Sequence, residues 1–229
     1  MELALRKYQE DGVIQCRHRF AEGHRSVLYV LPTGGGKTFI FCYITYQAMM
    51  KGNRIAILVH RQELIDQTSQ SLNRLGVEHG IVSAGREIDC RHQVQVCSVQ
   101  TLVRRLHKIP DDFFDLLVID EAHHACAGSW YKTIDYFKSA KVLGVTATPQ
   151  RLDGKGLREQ FSAMVCGPQM SHLTDHGYLS PTRIFAPPTE IDTSVMRKRM
   201  GEYKWEDVEE QTTTKKFVGD AVTHYKRYL

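Results

Sequence analysis

Along the chain, short runs of mostly apolar residues alternate with longer stretches in which apolar residues recur every three or four positions. The short runs predict buried strands, and the longer stretches predict amphipathic helices. The predicted strands cover residues 27–31, 55–59, 94–99, 116–119 and 142–145. The predicted helices cover residues 38–51, 62–75, 130–137 and 213–229, and a short helix follows the third strand and runs through Leu106. Strands that are apolar on both faces and alternate with helices are typical of parallel βαβ units, so the sequence predicts an α/β fold with a doubly wound parallel sheet.

The character of the sequence changes after Pro149. Residues 150–156 are polar and contain glycine, and prolines at 181, 187 and 188 interrupt any long element. We therefore expect one domain over residues 1–185, followed by a linker and a C-terminal helix over residues 186–229. The basic run Arg197-Lys198-Arg199 is interpreted as a solvated loop, with contact to nucleic acid as the alternative.

Composition and charge narrow the class of protein only a little. The chain has 229 residues, of which 42% are apolar and 24% charged, as in an ordinary soluble globular domain. The net charge of +4 is compatible with nucleic-acid binding but does not require it. The six cysteines form no Cys-x-x-Cys pair, which favours a reducing compartment. No secretory leader pattern is present and no apolar run approaches the roughly 20 residues of a membrane helix, so we expect a cytoplasmic protein without membrane contact.

A glycine-rich segment joins the first predicted strand to the first predicted helix. It consists of Pro32, Thr33, Gly34, Gly35, Gly36, Lys37 and Thr38. Glycine lets successive backbone N–H groups turn toward phosphate oxygens, and the helix N-terminus adds donors and a favourable dipole. In such a loop the lysine reaches the β- and γ-phosphates and the threonine hydroxyl binds Mg²⁺. The segment therefore predicts a phosphate site, and the alternative is a glycine-rich turn with a surface lysine.

One position departs from the general phosphate-loop pattern. Leu31 stands where the first glycine of G-x-x-x-x-G-K-[ST] is expected. The loop is therefore better compared with those of motor proteins than with those of small GTPases.

Two adjacent carboxylates follow the strand predicted at 116–119. Asp120 is placed to hold Mg²⁺ through its hydration shell, and Glu121 to act as a general base on the attacking water. A strand that simply ends in a charged turn is the alternative. Because ligands of open α/β sheets bind at the carboxyl ends of the strands, we expect the acid pair and the glycine-rich loop at the same sheet edge.

Taken together, these segments resemble superfamily 2 helicases. Residues 120–123 read DEAH, residues 146–149 resemble the TATP motif, and residues 5–9 resemble the N-terminal signature whose glutamine recognises adenine. Residues 60–64 with Gln67 resemble motif Ia, residues 98–102 resemble a second motif along the nucleic-acid track, and residues 151–156 and 177–179 are similar to RadD-like bacterial and phage members. The resemblance covers about residues 3–185 and implies the first RecA-like motor domain, a P-loop NTPase that uses ATP and Mg²⁺.

The resemblance also implies roles for further residues. Gln9 and Arg6 would hold the adenine. His123, Thr146 and Thr148 would couple the nucleotide state to the binding of the nucleic-acid strand. The backbone of that strand would be contacted by Arg61, Ser98, Gln100 and Thr101. The residues alone leave other interpretations open, since Gln9 could lie on a helix surface and Ser98 could be a helix cap. Likewise, Thr146 and Thr148 could be turn residues and Arg61 a solvated charge. A metal site at His123, His124 and Cys126 is a further alternative, disfavoured because no second pair lies at zinc-like spacing.

The family has a second motor domain whose arginines reach the γ-phosphate, and residues 189–229 contain no such segment. We therefore expect the first motor domain by itself, with weak turnover, since such an arginine is worth about 10³ to 10⁵ in rate. The expected activity is ATP hydrolysis that drives movement along DNA or its unwinding, with RNA as the less favoured strand. The alternatives are a nucleotide-binding or nucleic-acid-binding module without hydrolysis, and the motor of a restriction or repair nuclease assembly.

Overall fold

The computed structural model describes residues 5–86, 88–125, 128–149, 157–182, 195–199, 202–212 and 225–226. The chain divides into two compact units, residues 1–180 and 181–229. Among the described residues, no helix has both the length and the apolar character needed to cross a lipid bilayer.

The first unit is built on one seven-stranded sheet in which every pair of neighbouring strands is parallel. The strands are β1 Ser26–Val30, β2 Ile55–Val59, β3 His79–Val82, β4 Val94–Ser98, β5 Leu116–Asp120, β6 Lys141–Thr146 and β7 Ala163–Cys166. Their order across the sheet is β3-β4-β2-β5-β6-β1-β7. This confirms the predicted α/β fold with a parallel sheet.

Helices cover both faces of this sheet. They are α1 Lys7–Ala21, α2 Lys37–Met49, α3 Gln62–Arg74, α4 Val99–Arg105, α5 Gly128–Tyr136 and α6 Met170–Asp175. One core layer packs α1, α2 and α3 against the sheet, and the other packs α4 and α5. Alternate strand residues enter opposite layers, so that Ile57 belongs to the first and Leu58 to the second. This two-sided burial explains why the central strands are apolar throughout.

The five predicted strands and the predicted helices at 38–51, 62–75 and 130–137 are all present, with ends that differ by a few residues. The helix α3 ends at Arg74, and Gly76, which has a φ of +69°, follows its C-cap Leu75. The pattern did not predict α1, β3, β7 or α6. The predicted helix at 213–229 lies outside the described residues, apart from residues 225 and 226.

In the second unit, β8 Lys198–Arg199 pairs antiparallel with β9 Glu202–Tyr203, and α7 Trp205–Thr212 follows. The interpretation of residues 197–199 as a solvated loop is therefore wrong about the loop at residues 198–199, whereas Arg197 is exposed as that interpretation expects. The backbone of 198–199 is strand, and the Arg197 guanidinium lies 2.6 Å from the Asp207 carboxylate.

Candidate active site

The glycine-rich segment forms the turn between β1 and α2. Gly34 and Gly36 have φ angles of +81° and +85°, in the left-handed region that side chains with a Cβ avoid. Gly36 is the N-cap of α2, and its carbonyl accepts the Ile40 amide at 3.1 Å. Lys37 and Thr38 therefore open the helix, as the sequence predicts.

A side chain on any of the three glycines would also displace a neighbouring residue. A Cβ on Gly34 would lie 2.8 Å from Leu179, and one on Gly35 would lie 2.7 Å from Leu31. On Gly36 it would lie 2.6 Å from the Gln9 amide nitrogen. Close packing on three sides thus adds a steric reason for the glycines to the conformational one. The backbone of this loop leads directly into the N-terminus of α2, and such a turn fits the cradle of amide groups that phosphates need.

The Lys37 side chain folds back over this loop, and its Nζ donates to the Leu31 carbonyl at 3.4 Å. This is a long hydrogen bond, and an ammonium exchanges it easily for a charged acceptor. Both Lys37 and Thr38 are partly exposed, and Thr33 is exposed. The polar ends of this segment are therefore open to a ligand.

The two predicted carboxylates lie at the carboxyl end of β5. Asp120 is only 6% exposed, and its Oδ1 accepts the Glu121 backbone amide at 3.0 Å. Burial and the neighbouring Glu121 charge raise the pKa of Asp120 to about 6, although the Glu121 amide and the Lys37 charge oppose this shift. The negative charge of this buried carboxylate is stabilised by few protein groups, so a bound cation would stabilise it further. The oxygen ligands that Thr38 and Asp120 offer fit Mg²⁺.

Glu121 has an unusual backbone for a residue other than glycine. Its φ of +53° and ψ of +55° lie in the left-handed region, and it is the only such residue within the described ranges. That conformation costs about 1 to 2 kcal/mol, and backbone strain of this kind is concentrated at functional sites. It turns the chain sharply from β5 into the short 3₁₀ helix Ala122–His124.

Strand order brings the loop and the acid pair to the same edge of the sheet. β6 lies between β1 and β5, with Val30 opposite Thr146 and Asp120 opposite Val145. The Leu31 amide donates to the Thr146 carbonyl at 3.0 Å, which continues the pairing into the loop. The expected juxtaposition is therefore present.

The N-terminal signature packs directly under the glycine-rich loop. The Tyr8 hydroxyl and the Gln9 side-chain amide both donate to the Gly35 carbonyl, at 2.9 and 3.3 Å. The Gln9 Oε1 accepts the Arg6 amide at 3.0 Å, and Gln9 is 5% exposed. The alternative that Gln9 lies on a helix surface is therefore wrong.

His123 links the acid pair to the segment after β6. Its Nδ1 lies 3.3 Å from the Glu121 carboxylate and 3.1 Å from the Thr146 hydroxyl. The same hydroxyl donates to the Thr148 carbonyl at 3.0 Å and accepts the Thr148 amide at 3.1 Å. The structure thus brings together the three residues to which the resemblance assigns a coupling role.

The residues predicted to contact a nucleic-acid strand lie at the carboxyl ends of β2 and β4, which are beyond β5 in the strand order. Arg61 is the exposed N-cap of α3, and Ser98 occupies the N-cap position of α4. The Ser98 hydroxyl donates to Gln100 Oε1 at 3.0 Å, and the Gln100 amide donates to the His60 carbonyl at 3.3 Å. Thr101 follows in α4 and is partly exposed. The alternative that Ser98 is a helix cap therefore holds for its position, although its side chain makes no hydrogen bond to a backbone amide of the helix.

Four residues at this edge, His60, His124, Tyr178 and Leu179, were given no role in the nucleotide site by the sequence, although each lies in a segment that it singled out. The His124 ring contacts those of His60 and His123, with centroids 5.1 and 4.1 Å apart. Tyr178 contacts Tyr8, and Leu179 packs beside Gly34. Residues 177–179 resembled a family motif, and that was the one signal for the last pair. Cys126 of the alternative metal site lies outside the described residues, and those that are described contain no cluster of three or more metal-binding side chains.

Comparison with known proteins defines the class to which this fold and site belong. The family described as "Type III restriction enzyme, res subunit" matches residues 2–151. The chain belongs to this family, and the matched part is the N-terminal RecA-like domain of a superfamily 2 helicase.

Individual relatives agree with this. IRC3 of Saccharomyces cerevisiae is 31% identical over 216 residues, which cover 87% of this chain and 31% of IRC3. The DNA 3'-5' translocase XPB2 of Sulfurisphaera tokodaii is 32% identical over 155 residues, which cover 67% of this chain and 33% of XPB2. The helicase domain of Pyrococcus furiosus Hef superposes with a TM-score of 0.56 at 28% identity, over 63% of this chain and 33% of that one. The chain thus spans about a third of the length of these relatives.

Proposed function

We propose that this chain is the ATP-binding motor domain of a helicase or translocase and that it hydrolyses ATP at the carboxyl ends of β1, β6 and β5. The observation that carries the proposal is the meeting of Lys37 and the glycine-rich loop with a buried Asp120 and a strained Glu121. Both segments end beside β6 at the same level, since Val30 pairs with Thr146 and Asp120 pairs with Val145.

Each residue has a distinct task in this proposal. The amides of Thr33, Gly34, Gly35 and Gly36 and the Lys37 ammonium bind phosphate oxygens. The Gly35 amide exchanges its present bond to the Pro32 carbonyl, at 3.1 Å, for a phosphate oxygen. Thr38 and Asp120 hold Mg²⁺, which supplies charge neutralisation on the phosphates when bound. Glu121 accepts a proton from the attacking water and orients that water toward the γ-phosphate. Gln9 and Arg6 face the base, and Gln9 at the same time supports the loop through the Gly35 carbonyl.

The phosphate assignment is tested by removing Lys37. In the variant Lys37→Ala we expect titration of a fluorescent ADP to give at least a 100-fold weaker Kd, because a charge-assisted contact to phosphate is lost. Lys51→Ala is the matched control, since Lys51 lies just beyond the other end of α2 and is exposed. Equal affinity in the Lys37→Ala and wild-type proteins would remove the assignment.

Hydrolysis distinguishes an enzyme from a nucleotide-binding module. Replacing Glu121 with Gln should leave nucleotide affinity within a few-fold and slow single-turnover hydrolysis by about 10² to 10⁴, the usual contribution of a general base. We further propose that multiple-turnover hydrolysis by this chain alone is slow, because an arginine from a second motor domain would complete the site. A fast rate stimulated strongly by DNA would contradict that part.

We propose that DNA is the nucleic acid that binds at Arg61, Ser98, Gln100 and Thr101. XPB2, a relative at 32% identity, is named as a DNA translocase. Contacts to a strand backbone carry charge but no sequence information, so binding should be sequence-independent and salt-dependent.

The DNA proposal is tested with two arginines at opposite ends of α3. Arg61→Ala should weaken the binding of single-stranded DNA and reduce the slope of log affinity against log salt by about one. Arg74→Ala, at the exposed far end of the helix, should change neither. Parallel titrations with duplex DNA and RNA decide which strand is preferred, and tighter binding of RNA would overturn the choice of DNA.

The motor of a restriction assembly is a second candidate, favoured by the match to the res subunit family over residues 2–151. The chemistry of the ATP site is the same in both. Co-purification of a nuclease or methyltransferase with the full-length protein would decide for this candidate.

A further inference from the structure

The turn after α6 contacts two parts of the candidate nucleotide site at once. Gly177 has a φ of +70°, and the amides of Tyr178 and Leu179 both donate to the Leu173 carbonyl, at 2.8 and 3.1 Å. Leu173 itself is fully buried in the core layer that contains α1 and α2. The helix end therefore fixes where Tyr178 and Leu179 project.

Tyr178 makes its contacts with the N-terminal signature. Its ring meets the Tyr8 ring edge to face, with centroids 5.0 Å apart, and the Arg6 guanidinium carbon lies 5.1 Å from the centroid of the Tyr178 ring. Both geometries are attractive, because the positive edge of one ring or a cation faces the negative face of another. Tyr8 in turn donates to the Gly35 carbonyl.

Leu179 contacts the glycine-rich loop of residues 32–38, the phosphate loop, instead. Its Cδ2 would lie 2.8 Å from a Cβ on Gly34, so the leucine fills the space that this glycine leaves. Two neighbouring side chains thus act on different parts of the site, the leucine on the loop and the tyrosine on the segment that holds Arg6 and Gln9.

We propose that Tyr178 is a positioning residue for nucleobase recognition, holding Arg6 and Tyr8 where the base binds, and that Leu179 positions the phosphate loop. This rests on the proposed function, in which Arg6 and Gln9 face an adenine. Arg6 is exposed and its side chain is long, so without a ring beside it the guanidinium would lose side-chain entropy each time a base binds. The aromatic ring orders the guanidinium in advance.

The test separates the base from the phosphates. Competition against a fluorescent ADP gives the Kd of ADP and of inorganic tripolyphosphate for each variant, with Mg²⁺ present. Tyr178→Ala should weaken ADP about five-fold and leave tripolyphosphate within two-fold, because the cation–π contact to Arg6 is lost beside the base while Tyr8 keeps its own hydrogen bond to the Gly35 carbonyl. Tyr178→Phe keeps the ring and should bind both ligands as the wild type does.

Leu179→Ala is the opposing variant and should weaken ADP and tripolyphosphate by similar factors. If Tyr178 acts through Arg6, then Arg6→Ala and the double variant Arg6→Ala/Tyr178→Ala should have nearly the same Kd for ADP. Thermal unfolding of each variant checks that the domain remains folded.

Two results would overturn the proposal. One is an unchanged ADP affinity in Tyr178→Ala, and the other is an equal loss of ADP and tripolyphosphate, which would make Tyr178 a structural support of the loop. Failure of the proposed function gives a different result, namely a wild-type protein that binds neither ADP nor tripolyphosphate.

Discussion

The Nδ1 atom of His123 and the hydroxyl of Thr146 lie 3.1 Å apart and join the turn after β5 to the end of β6. The Thr146 hydroxyl donates its hydrogen to the Thr148 carbonyl, so it can only accept from His123. The other neighbour of Nδ1, the Glu121 carboxylate at 3.3 Å, is an acceptor as well. We therefore assign the hydrogen to Nδ1, which makes His123 a donor shared between the Glu121 carboxylate and the segment 146–148.

That assignment leads to a prediction about coupling. In His123→Ala, nucleotide should still bind, but a non-hydrolysable ATP analogue should no longer change the affinity for single-stranded DNA. Two sites influence each other only through a coupling free energy, typically 1 to 3 kcal/mol, and a contact between them is one way to carry it. The measurement is the DNA Kd with and without the analogue. His18→Ala, an exposed histidine on α1, is the control, and an undiminished coupling factor in His123→Ala would contradict the prediction.

Glu121 should be a residue at which activity and stability oppose each other. Since its φ is +53°, glycine is the one replacement that removes the strain of a Cβ in that conformation. We expect Glu121→Gly to be more stable than Glu121→Ala by about 1 kcal/mol, or roughly 2 to 4 °C in Tm for a chain of this size. Both variants lack the carboxylate and should be inactive, so calorimetry alone makes the comparison. Equal melting temperatures would argue against a strained backbone at this position.

Gly36 should tolerate alanine less well than Gly52. Both have a φ of +85°, but a Cβ on Gly52 meets nothing within 4 Å, whereas one on Gly36 would lie 2.6 Å from Gln9. Gly52→Ala should therefore cost about 1 to 2 kcal/mol of backbone strain, and Gly36→Ala should cost more and also weaken ADP binding. Urea unfolding measures both losses. If the clash is the cause, Gln9→Ala should restore part of the stability of Gly36→Ala, and additive losses would rule the clash out.

Buried thiols predict how stability falls in alkali. Burial raises the pKa of Cys16 from the ordinary 9.0 to about 12, and burial likewise raises the pKa of Cys97. Above pH 9 the unfolded chain releases the Cys16 proton while the folded chain keeps it, so the folded state binds more protons and stability falls with rising pH until about pH 12. Each such thiol contributes a slope of about 1.4 kcal/mol per pH unit over that window. Cys16→Ala should flatten the decline of the unfolding free energy between pH 9.5 and 11 relative to the wild type. Cys90→Ala, which removes an exposed thiol, should leave the slope unchanged.

Local pattern was sufficient to predict the central strands of the sheet and the placement of the glycine-rich loop and the acid pair at their carboxyl ends. β2 and β5 are buried at every position, and their unbroken apolar runs have no other stable environment. The edge strands β3 and β7 were missed because each faces a neighbour on only one side and carries a mixed pattern of buried and exposed residues. The helix α1 was missed because most of its residues are polar.

The sequence by itself determined the parallel α/β sheet, the glycine-rich loop and the acid pair, because each depends on neighbours along the chain: the period of apolar residues, the freedom of glycine and the end of a buried strand. Only the tertiary structure decided that Gln9 is buried under Gly35, that the rings of His60 and His124 are in contact and that Tyr178 contacts Arg6 and Tyr8. These contacts join segments distant in sequence, and a histidine or tyrosine carries no local signal of its partner. Their positions follow from the order in which the strands assemble, which packing of the whole core selects.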